Sequence, residues 1–560
     1  MYAYKHSPPT SHILRRHAFV CVHQPSHAYR KMSRKSSTEH PYVSLANSPS
    51  LAINSRPPQT HVTNTSITFN SPASSACLLA SMAARDISSS ILFSLSLSLS
   101  LLVLWHGCAA AEYSVGGPYR RPQQRFRQQA ECRLQSISQL KPNREAQAEA
   151  GKIQYYDESN DQLDCAGVSV VKYIINPNGL LLPSYDSAPG LAYIIQGEGL
   201  AGTIVPGCPE TYQSRGGQRQ EEGEGESEDE HQKVRRFRRG DAYALSEAVA
   251  HWFYNHGKED VVILVVLDTS NPANQLNQNL RTFRLAGAHQ VGDGQQGSEQ
   301  QQQQQQARCV FSGLDLDLLA EVLGVSRETA KKLQDCEDFE KGPIVNVKNG
   351  LRLVTPSTAA DEEGQGRRGL KLNGLEEAFC NARIKENIDR PNQADVYNPR
   401  AGRITILNSH KLPILGYLGL NAERLVLYRN ALVAPHWHIN AHSVIYCTGG
   451  NARVQIVGND GKAVFDGQLR KEELVVVPQG FVLLIQAGDE GFEYVAIKTN
   501  DNALTSPIVG QTSVIRAIPN GVLRNSYQIT DDEAQRLKHN RGREPIVMES
   551  RSQEQGRASA

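Results

Sequence analysis

The sequence predicts an all-β protein in which two antiparallel barrels or sandwiches carry short helical extensions. From Glu112 onward, short β-rich runs recur, separated by Gly, Pro and Asn. A weak internal repeat divides these runs into two similar halves. Hydrophobic residues make up 39% of the 560 residues, enough for packed cores, so a wholly disordered protein is excluded.

The predicted strands fall into two groups. Those of the first half are Val168–Ile175, Leu191–Ile195, Thr203–Val205 and Asp260–Leu267. Those of the second half are Ile404–Leu407, Arg424–Tyr428, Ser443–Cys447, Ala452–Val457, Glu473–Val477 and Tyr494–Lys498. Their short length and regular turn signals favour antiparallel strands.

The internal repeat locates an insertion. Leu182–Tyr185 parallels Ala434–Trp437 at an offset of 252 residues, whereas Ser246–Ala248 parallels Pro478–Gly480 at an offset of 232. The first half therefore carries 20 additional residues between these landmarks, and the acidic run Glu221–Glu230 lies among them. We interpret this run as a solvated surface loop.

Helices are predicted at two places. Leu314–Leu323 and Ser326–Leu333 form a helix pair with Ser326 as an N-cap, and the capping box Thr530–Glu533 begins a C-terminal helix. The first helix has an apolar face that we expect to pack in the core. Its residues are Leu318, Leu319, Val322 and Leu323.

The first 111 residues differ from the rest. Met1–Ser81 is rich in Ser, His, Pro and Arg, and we interpret it as disordered or as a gene-model extension. Met82–Ala111 combines a charged start, the apolar run Ile91–Trp105 and small final residues, the pattern of a secretory signal peptide cut between Ala111 and Glu112. The run is too short and too rich in serine for a good membrane anchor, so we expect no membrane association after signal cleavage.

Charge and low-complexity segments exclude further classes. The formal net charge of +1 combines +7 before Glu112 with −6 after it. No later segment has the basic excess of a nucleic-acid binder. Gln295–Gln306 and Ser357–Arg368 are predicted to be a polar loop and a linker.

Seven cysteines follow Ala111, and in an oxidising compartment disulfides are expected among them. They are Cys132, Cys165, Cys208, Cys309, Cys336, Cys380 and Cys447. Their pairing cannot be read from their number and spacing. Cys447 lies in a predicted strand, and we interpret it as a buried free thiol.

Several segments together form a specific combination of residues. They are Cys132–Leu134, Cys165–Val168, Val205–Cys208, Phe237–Asp241, Ala250–Trp252, Leu323–Thr329 and Asn373–Glu377. This combination, which runs from about Cys132 to the helix that begins at Thr530, resembles the legumin-type (11S) seed storage globulins of the cupin superfamily. The resemblance implies a bicupin fold of two jelly-roll β-barrels and a nutrient-reservoir function rather than an enzyme.

The resemblance also implies how the chain is processed. Family members are cut after an Asn by an asparaginyl endopeptidase, which here gives an acidic chain Glu112–Asn373 and a basic chain Gly374–Ala560. Cys132–Cys165 is the implied disulfide within the acidic chain, and Cys208–Cys380 the one between the chains. Cys309 and Cys336 lie outside these pairs and are free to bridge each other. Trimers, hexamers and delivery to the protein storage vacuole of the seed are also implied.

The main rival is a metal-dependent cupin oxidoreductase or isomerase, since cupins often hold a metal through two His, a Glu and a later His. The corresponding positions of the first half are Ser184, Asp186, Gly190 and His251, and those of the second half are His436, His438, His442 and Leu483. We therefore expect no catalytic residue and no cofactor, with His436, His438 and His442 as the candidates for a metal.

Two further expectations concern the mouths of the barrels. His251 with Asn255 is interpreted as a structural remnant that forms hydrogen bonds there. A third hypothesis is a small-ligand-binding cupin, because Trp252, Trp437 and Tyr446 would together line a mouth that accepts a ligand.

Overall fold

The computed structural model describes residues 132, 134–210, 212–213, 230–290, 306–336, 341–353, 380 and 382–550. The predicted signal peptide, the predicted linker 357–368, Asn373 and Gly374 lie outside these ranges, as do most of the acidic run Glu221–Glu230 and of the polar run 295–306. Within them, no helix is both long and apolar enough to cross a bilayer.

The first half of the chain forms sixteen strands within the described ranges. They are β1 (Arg144–Ala148), β2 (Gly151–Tyr155), β3 (Ser169–Ile175), β4 (Gly179–Asp186), β5 (Gly190–Gln196), β6 (Glu198–Ile204), β7 (Tyr212–Gln213), β8 (Glu230–His231), β9 (Val234–Arg238), β10 (Asp241–Leu245), β11 (Ala250–Tyr254), β12 (Val261–Leu267), β13 (Thr282–Arg284), β14 (His289–Gln290), β15 (Gln306–Ala307) and β16 (Ile344–Asn346).

The second half continues this series. Its strands are β17 (Lys385–Asn387), β18 (Val396–Asn398), β19 (Gly402–Leu407), β20 (Asn421–Leu427), β21 (Leu432–His438), β22 (Ser443–Val457), β23 (Ala463–Arg470), β24 (Leu474–Val477), β25 (Val482–Lys498), β26 (Thr505–Pro507) and β27 (Val547–Met548).

The helices are α1 (Asp161–Ala166), α2 (Leu316–Leu323), α3 (Arg327–Gln334), α4 (Leu415–Leu418), α5 (Val514–Ala517), α6 (Asn520–Tyr527) and α7 (Asp531–His539). The predicted caps are confirmed. The Ser326 side chain accepts a hydrogen bond from Thr329 N, and Thr530 and Glu533 form the full capping box.

Two antiparallel sheets form the first barrel. One runs β1-β2-β3-β12-β5-β10-β17, and the other runs β13-β4-β11-β6-β9 with β16 beside β4. The second barrel is one ten-stranded sheet along β18-β19-β20-β25-β21-β26, to which β22, β23, β24 and β27 add. The predicted pair of antiparallel barrels is thereby confirmed.

Two strands of the second barrel are longer than predicted. Ser443–Cys447 and Ala452–Val457 are parts of β22, and Tyr494–Lys498 is the end of β25. The pairing of β22 with β25 shifts register on either side of Gly450, which has a φ of 67°. A Cβ there would lie 2.1 Å from Gly491 O, so only glycine fits. The two predicted runs are therefore one continuous strand, in which β-bulges lie at Gly449 and Gly450.

The expectation for the apolar face of α2 is wrong. Leu319 is 6% exposed, but Leu318 is 62% and Val322 82% exposed. Leu323 is also exposed, at 44%. The helix pair lies on the surface of the chain, where only one side of α2 has a core to contact.

The largest hydrophobic core joins the two barrels. Ile153, Tyr156 and Leu163 of the first half belong to the same buried cluster as Val444 and Tyr446 of the second half. The interior of the second barrel has a separate core. The barrels are therefore packed on each other and not merely connected in sequence.

Each barrel also receives a segment from the other half of the chain. β17, which follows Cys380, pairs with β10 at the edge of the first barrel. Before β1, Ile137 N donates to Val464 O at 2.8 Å and Leu140 N donates to Leu474 O at 2.7 Å, both in the second barrel. The halves are thus interlocked in both directions.

Candidate functional site

The structure places the repeated positions at equivalent points of the two barrels. In the first barrel, Ser184 of β4 lies opposite His251 of β11. In the second barrel, His436 of β21 lies opposite Leu483 of β25. These pairs are related by the same two offsets that the sequence repeat gives, so the two candidate metal sites can be compared directly.

The first barrel holds a single buried imidazole at this point. His251 is 5% exposed, and its Nε2 lies 4.0 Å from Asp186 Oδ2. Thr282 Oγ1 donates to Asp186 Oδ1 at 2.5 Å. Asn255 Nδ2 donates to Ile175 O and to another backbone carbonyl, each at 2.8 Å. These contacts fix loops and strand ends, as expected for structural residues.

In the second barrel, His436 and His438 point to the same side of β21. They are 3% and 2% exposed, and their ring centroids are 5.5 Å apart. His436 Nδ1 lies 2.8 Å from Ala434 O, and His438 Nδ1 lies 3.2 Å from Thr505 Oγ1. Burial lowers the pKa of His436. Burial, Lys498 and His436 hold the pKa of His438 well below its usual value. Both rings are therefore neutral at neutral pH.

His442 does not join this pair. It is half-buried after β21, where its Nδ1 accepts from Gln479 N at 3.3 Å. Among the described residues, no group of three or more His, Cys, Asp or Glu side chains is placed to hold a metal ion. Leu483 occupies the position of the later His, so the second element that normally completes such a site contributes no ligand.

A buried ion pair lies in the same barrel, and the sequence interpretation missed it. Lys498 Nζ donates to Glu423 Oε2 and Tyr494 OH donates to Glu423 Oε1, both at 2.6 Å. Burial alone would raise the pKa of Glu423, but the Lys498 ammonium and these hydrogen bonds outweigh it and lower the pKa. The available signal was a pair of adjacent charged residues, Glu423 and Arg424, in a run whose other residues are mostly apolar.

A cavity of about 440 Å³ opens beside this ion pair. Its polar lining includes Glu423, His436 and Tyr494, and aliphatic side chains form much of the remainder. It is lined by one of the three candidate metal ligands, His436.

The predicted aromatic mouth is not formed. Trp252 lines a separate groove of about 290 Å³ on the first barrel. Trp437 is half-buried and alternates with His436 along β21, so it points to the opposite side of the strand. Tyr446 is 1% exposed within the core between the barrels. Strand alternation and packing between the barrels separate these three side chains.

Disulfides join Cys132 to Cys165, Cys208 to Cys380, and Cys309 to Cys336. Cys208 and Cys380 are separated by 172 residues, with Asn373 between them in sequence. Cys447 is a free, fully buried thiol, and burial raises its pKa to about 12. It is therefore an unreactive core residue.

The Cupin family matches residues 138–291 and 386–535, one region in each barrel. Cocosin 1 from Cocos nucifera is 47% identical over 468 residues, covering 83% of this chain and 99% of cocosin. Glutelin type-A 1 from Oryza sativa subsp. japonica is 45% identical over 438 residues, covering 74% of this chain and 87% of the glutelin.

A solved structure shows the same likeness. The crystal structure of pumpkin seed globulin superposes with a TM-score of 0.64 at 41% identity, covering 75% of this chain and 99% of that one. The family match in both halves, the barrel architecture and the similarity to these seed proteins all indicate the same family. They support a storage function over the enzyme alternative. The chain belongs to the 11S seed storage globulins of the cupin superfamily.

Proposed function

We propose that this storage globulin is a secreted precursor that asparaginyl endopeptidase cuts after Asn373, and that the acidic and basic chains stay together as a compact nitrogen reserve. The observation that carries the proposal is the way the structure holds both sides of the predicted cut. Residues 354–379, which contain Asn373, lie between anchored segments.

Upstream, β16 pairs with β4, and its Ile344 is fully buried. Downstream, the disulfide from Cys380 to Cys208 and the pairing of β17 with β10 hold the start of the basic chain. A cut between these anchors leaves both new ends attached to the first barrel.

Buried polar contacts strengthen the attachment of the basic chain. Asp241 of β10 is 1% exposed and accepts from Lys385 Nζ at 3.0 Å and from Asn387 Nδ2 at 2.8 Å. Ile384 and Ile388, on either side of β17, lie in the main core. The two chains are thus joined by a sheet, an ion pair and apolar packing in addition to the disulfide.

Exposed apolar side chains support self-association into trimers and then hexamers. One patch is on α2, where Leu318 and Val322 are mostly exposed. Another is on the C-terminal helices, where Val522, Tyr527 and Leu537 are 51%, 57% and 50% exposed. Two different patches on one chain suit a head-to-tail contact, which closes into a ring when the rotation allows it.

Composition supports the reserve function. Gln and Arg are rich in nitrogen; both are concentrated in the lead Arg120–Arg133, and Gln also in Gln295–Gln306. After Ala111 the sequence has a single Met, Met548, so the reserve is poor in sulfur. A secretory leader and a protease-processed precursor fit deposition in the protein storage vacuole of the seed.

N-terminal sequencing of the seed polypeptides tests the processing. We expect one chain that begins at Glu112 and one that begins at Gly374, joined before reduction and separated in SDS after reduction. A single uncut chain, or fragments of Met1–Ser81 in the mature protein, would contradict the proposal.

A substitution on α2 tests the assembly. Val322 is 82% exposed, so Val322→Asp should change the free energy of unfolding by no more than about 0.5 kcal/mol. Analytical ultracentrifugation should show association weakened about tenfold or more, because a charge would be buried in the contact. Val322→Thr, which keeps the side-chain shape, is the control. An unchanged oligomer for Val322→Asp would exclude this patch from the contact.

A further inference from the structure

The cavity of the second barrel is not a requirement of the fold. Glu423 is related to Val171 by the 252-residue offset that aligns β3 with β20. Val171 lies opposite Val265 of β12, and Glu423 lies opposite Ala496 of β25. Every residue of β12 is apolar, whereas β25 contributes Tyr494 and Lys498 to the interior. At this pair of equivalent positions, the first barrel thus buries apolar side chains, whereas the second buries an ion pair.

Burying an ion pair generally contributes little to stability compared with an apolar filling of similar volume. Val171 and Val265 show that this chain uses the apolar filling at the equivalent point of the first barrel. Stability therefore does not account for the buried ion pair of the second barrel, whereas ligand binding in the adjoining cavity would.

The cavity is of the size that holds a small organic molecule. Its volume of about 440 Å³ lies within the range of roughly 300–1,000 Å³ that is usual for ligand pockets. Its rim includes the exposed residues Gln511 and Thr512, so the cavity is reached from solvent. The apolar lining comes from several elements and includes Val396, Ile404, Ile406, Val433, Pro507 and Ile546.

The inner end of the cavity offers hydrogen-bond acceptors. His436 Nδ1 lies 2.8 Å from Ala434 O, and because a carbonyl oxygen can only accept, Nδ1 carries the proton. The neutral ring then presents Nε2 as an acceptor, and Nε2 has no hydrogen-bond partner within the ranges that the structure describes. Both oxygens of Glu423 already accept one hydrogen bond each.

Charge excludes ionic ligands from this end. The Lys498 ammonium balances the Glu423 carboxylate at 2.6 Å, so an added cation would be repelled by Lys498 and an added anion by Glu423. Asp395, which also lines the cavity, is balanced in the same way by Lys411 at 2.6 Å. The site suits a molecule with apolar rings and a neutral donor.

We propose that the cavity of the second barrel binds a neutral phenol or alcohol, whose rings contact the aliphatic walls and whose hydroxyl donates a hydrogen bond to His436 Nε2. This function is additional to storage and does not depend on cleavage after Asn373.

Equilibrium dialysis of the purified protein at neutral pH tests the proposal with 2-naphthol, 2-methoxynaphthalene and 2-naphthoate. We expect saturable binding of one 2-naphthol per chain. The methyl ether lacks the donor and the carboxylate is charged, so each should bind about tenfold more weakly or worse. No saturable binding of 2-naphthol, or equal binding of 2-naphthoate, would overturn the proposal.

Variants locate the site. Thr512→Trp, at the exposed rim, should abolish binding without affecting folding, whereas Gln468→Trp on the exposed outer side of β23 should leave binding unchanged. His436→Phe should remove the preference for 2-naphthol over its methyl ether. His436 is buried, so the variant His436→Phe could fail to fold. In that case Thr512→Trp alone tests whether the molecule binds in this cavity. Full binding by Thr512→Trp would show that the molecule binds elsewhere and would overturn the proposal.

Discussion

The two barrels keep the same turns but bury different side chains. Gly167 and Gly419 both end a short helix in the left-handed conformation, and Asn178 and Asn430 have φ values of 61° and 57°. These pairs are related by the offset of 252 residues. Turn residues that only a few amino acids can replace have preserved the backbone plan.

The interiors have diverged around that plan. Asp186, which pairs with Thr282 in the first barrel, corresponds to His438, which contacts Thr505 in the second. Val171 corresponds to Glu423. The turns thus fix the barrel, whereas the interior positions are free to change chemistry as long as their polar groups find partners.

The largest effect is expected from the buried ion pair. Lys498→Met leaves Glu423 charged and unpaired in the interior, which should lower the free energy of unfolding by about 3–5 kcal/mol. The double variant Lys498→Met with Glu423→Leu replaces the ion pair by apolar side chains, as at the equivalent position Val171 of the first barrel. It should lie within about 1 kcal/mol of the parent protein or be more stable.

Equilibrium denaturation in urea measures the free energy of unfolding of both variants. A double variant that is as unstable as Lys498→Met would show that the ion pair is needed for the fold. It would contradict the inference that apolar side chains can replace the pair in the second barrel.

A smaller effect is expected where the second half completes the first barrel. Asp241→Ala removes the acceptor of Lys385 and Asn387 and should cost about 2–3 kcal/mol in the free energy of unfolding. Asp466→Ala, which removes an exposed partner of Arg453, is the control and should give no measurable change. Equal losses for the two variants would mean that the junction is no stronger than a surface ion pair.

The smallest and most specific effect is on pH dependence. The pKa values of His436 and His438 are lowered by burial, so the unfolded chain binds protons more readily near the ordinary pKa of about 6.5. The stability that these neutral rings contribute is therefore fully present above about pH 6.5, and it is lost progressively as the pH falls from there through the lowered pKa values of the folded state. The lowered pKa of Glu423 acts in the same direction at more acid pH, below the ordinary carboxyl pKa.

Urea midpoints at about pH 7.5 and about pH 5 measure this dependence. The double variant His436→Ser with His438→Asn should reduce this pH dependence. It resembles the first barrel, which has Ser184 and Asp186 at the equivalent positions. If the urea midpoint of this variant changed between the two pH values as much as that of the parent protein, other titratable groups would cause the pH dependence.

Local sequence signals predicted much of the fold. Ser326 and Thr530 mark helix starts because their hydroxyls cap free backbone N–H groups, and such contacts span only a few residues. The internal offsets alone predict that Ser184 and His436 occupy equivalent points of the two barrels, as their strand pairings confirm. Every predicted run lies on a strand, but together the runs located only nine of the 27 strands that the structure describes, and Gly450 concealed the continuity of β22.

The candidate site was harder to predict because its contacts are distant in sequence. Glu423 and Lys498 are separated by 75 residues, and neither carries a local signal for the other. The exposure of Leu318 and Val322 was also missed, because an apolar helix face indicates burial but not whether the partner is the same chain or another copy. Sequence patterns report periodicity, whereas these features depend on which elements meet.

The two halves are interlocked by each other's segments as well as by a disulfide. Native mass spectrometry of the cleaved protein, before and after reduction of Cys208–Cys380, tests this interlocking most directly. We expect the acidic and basic chains to remain together after reduction, because β17 stays paired in the first barrel and Ile137 and Leu140 stay in the second. Separation of the chains upon reduction alone, without denaturant, would contradict the claim.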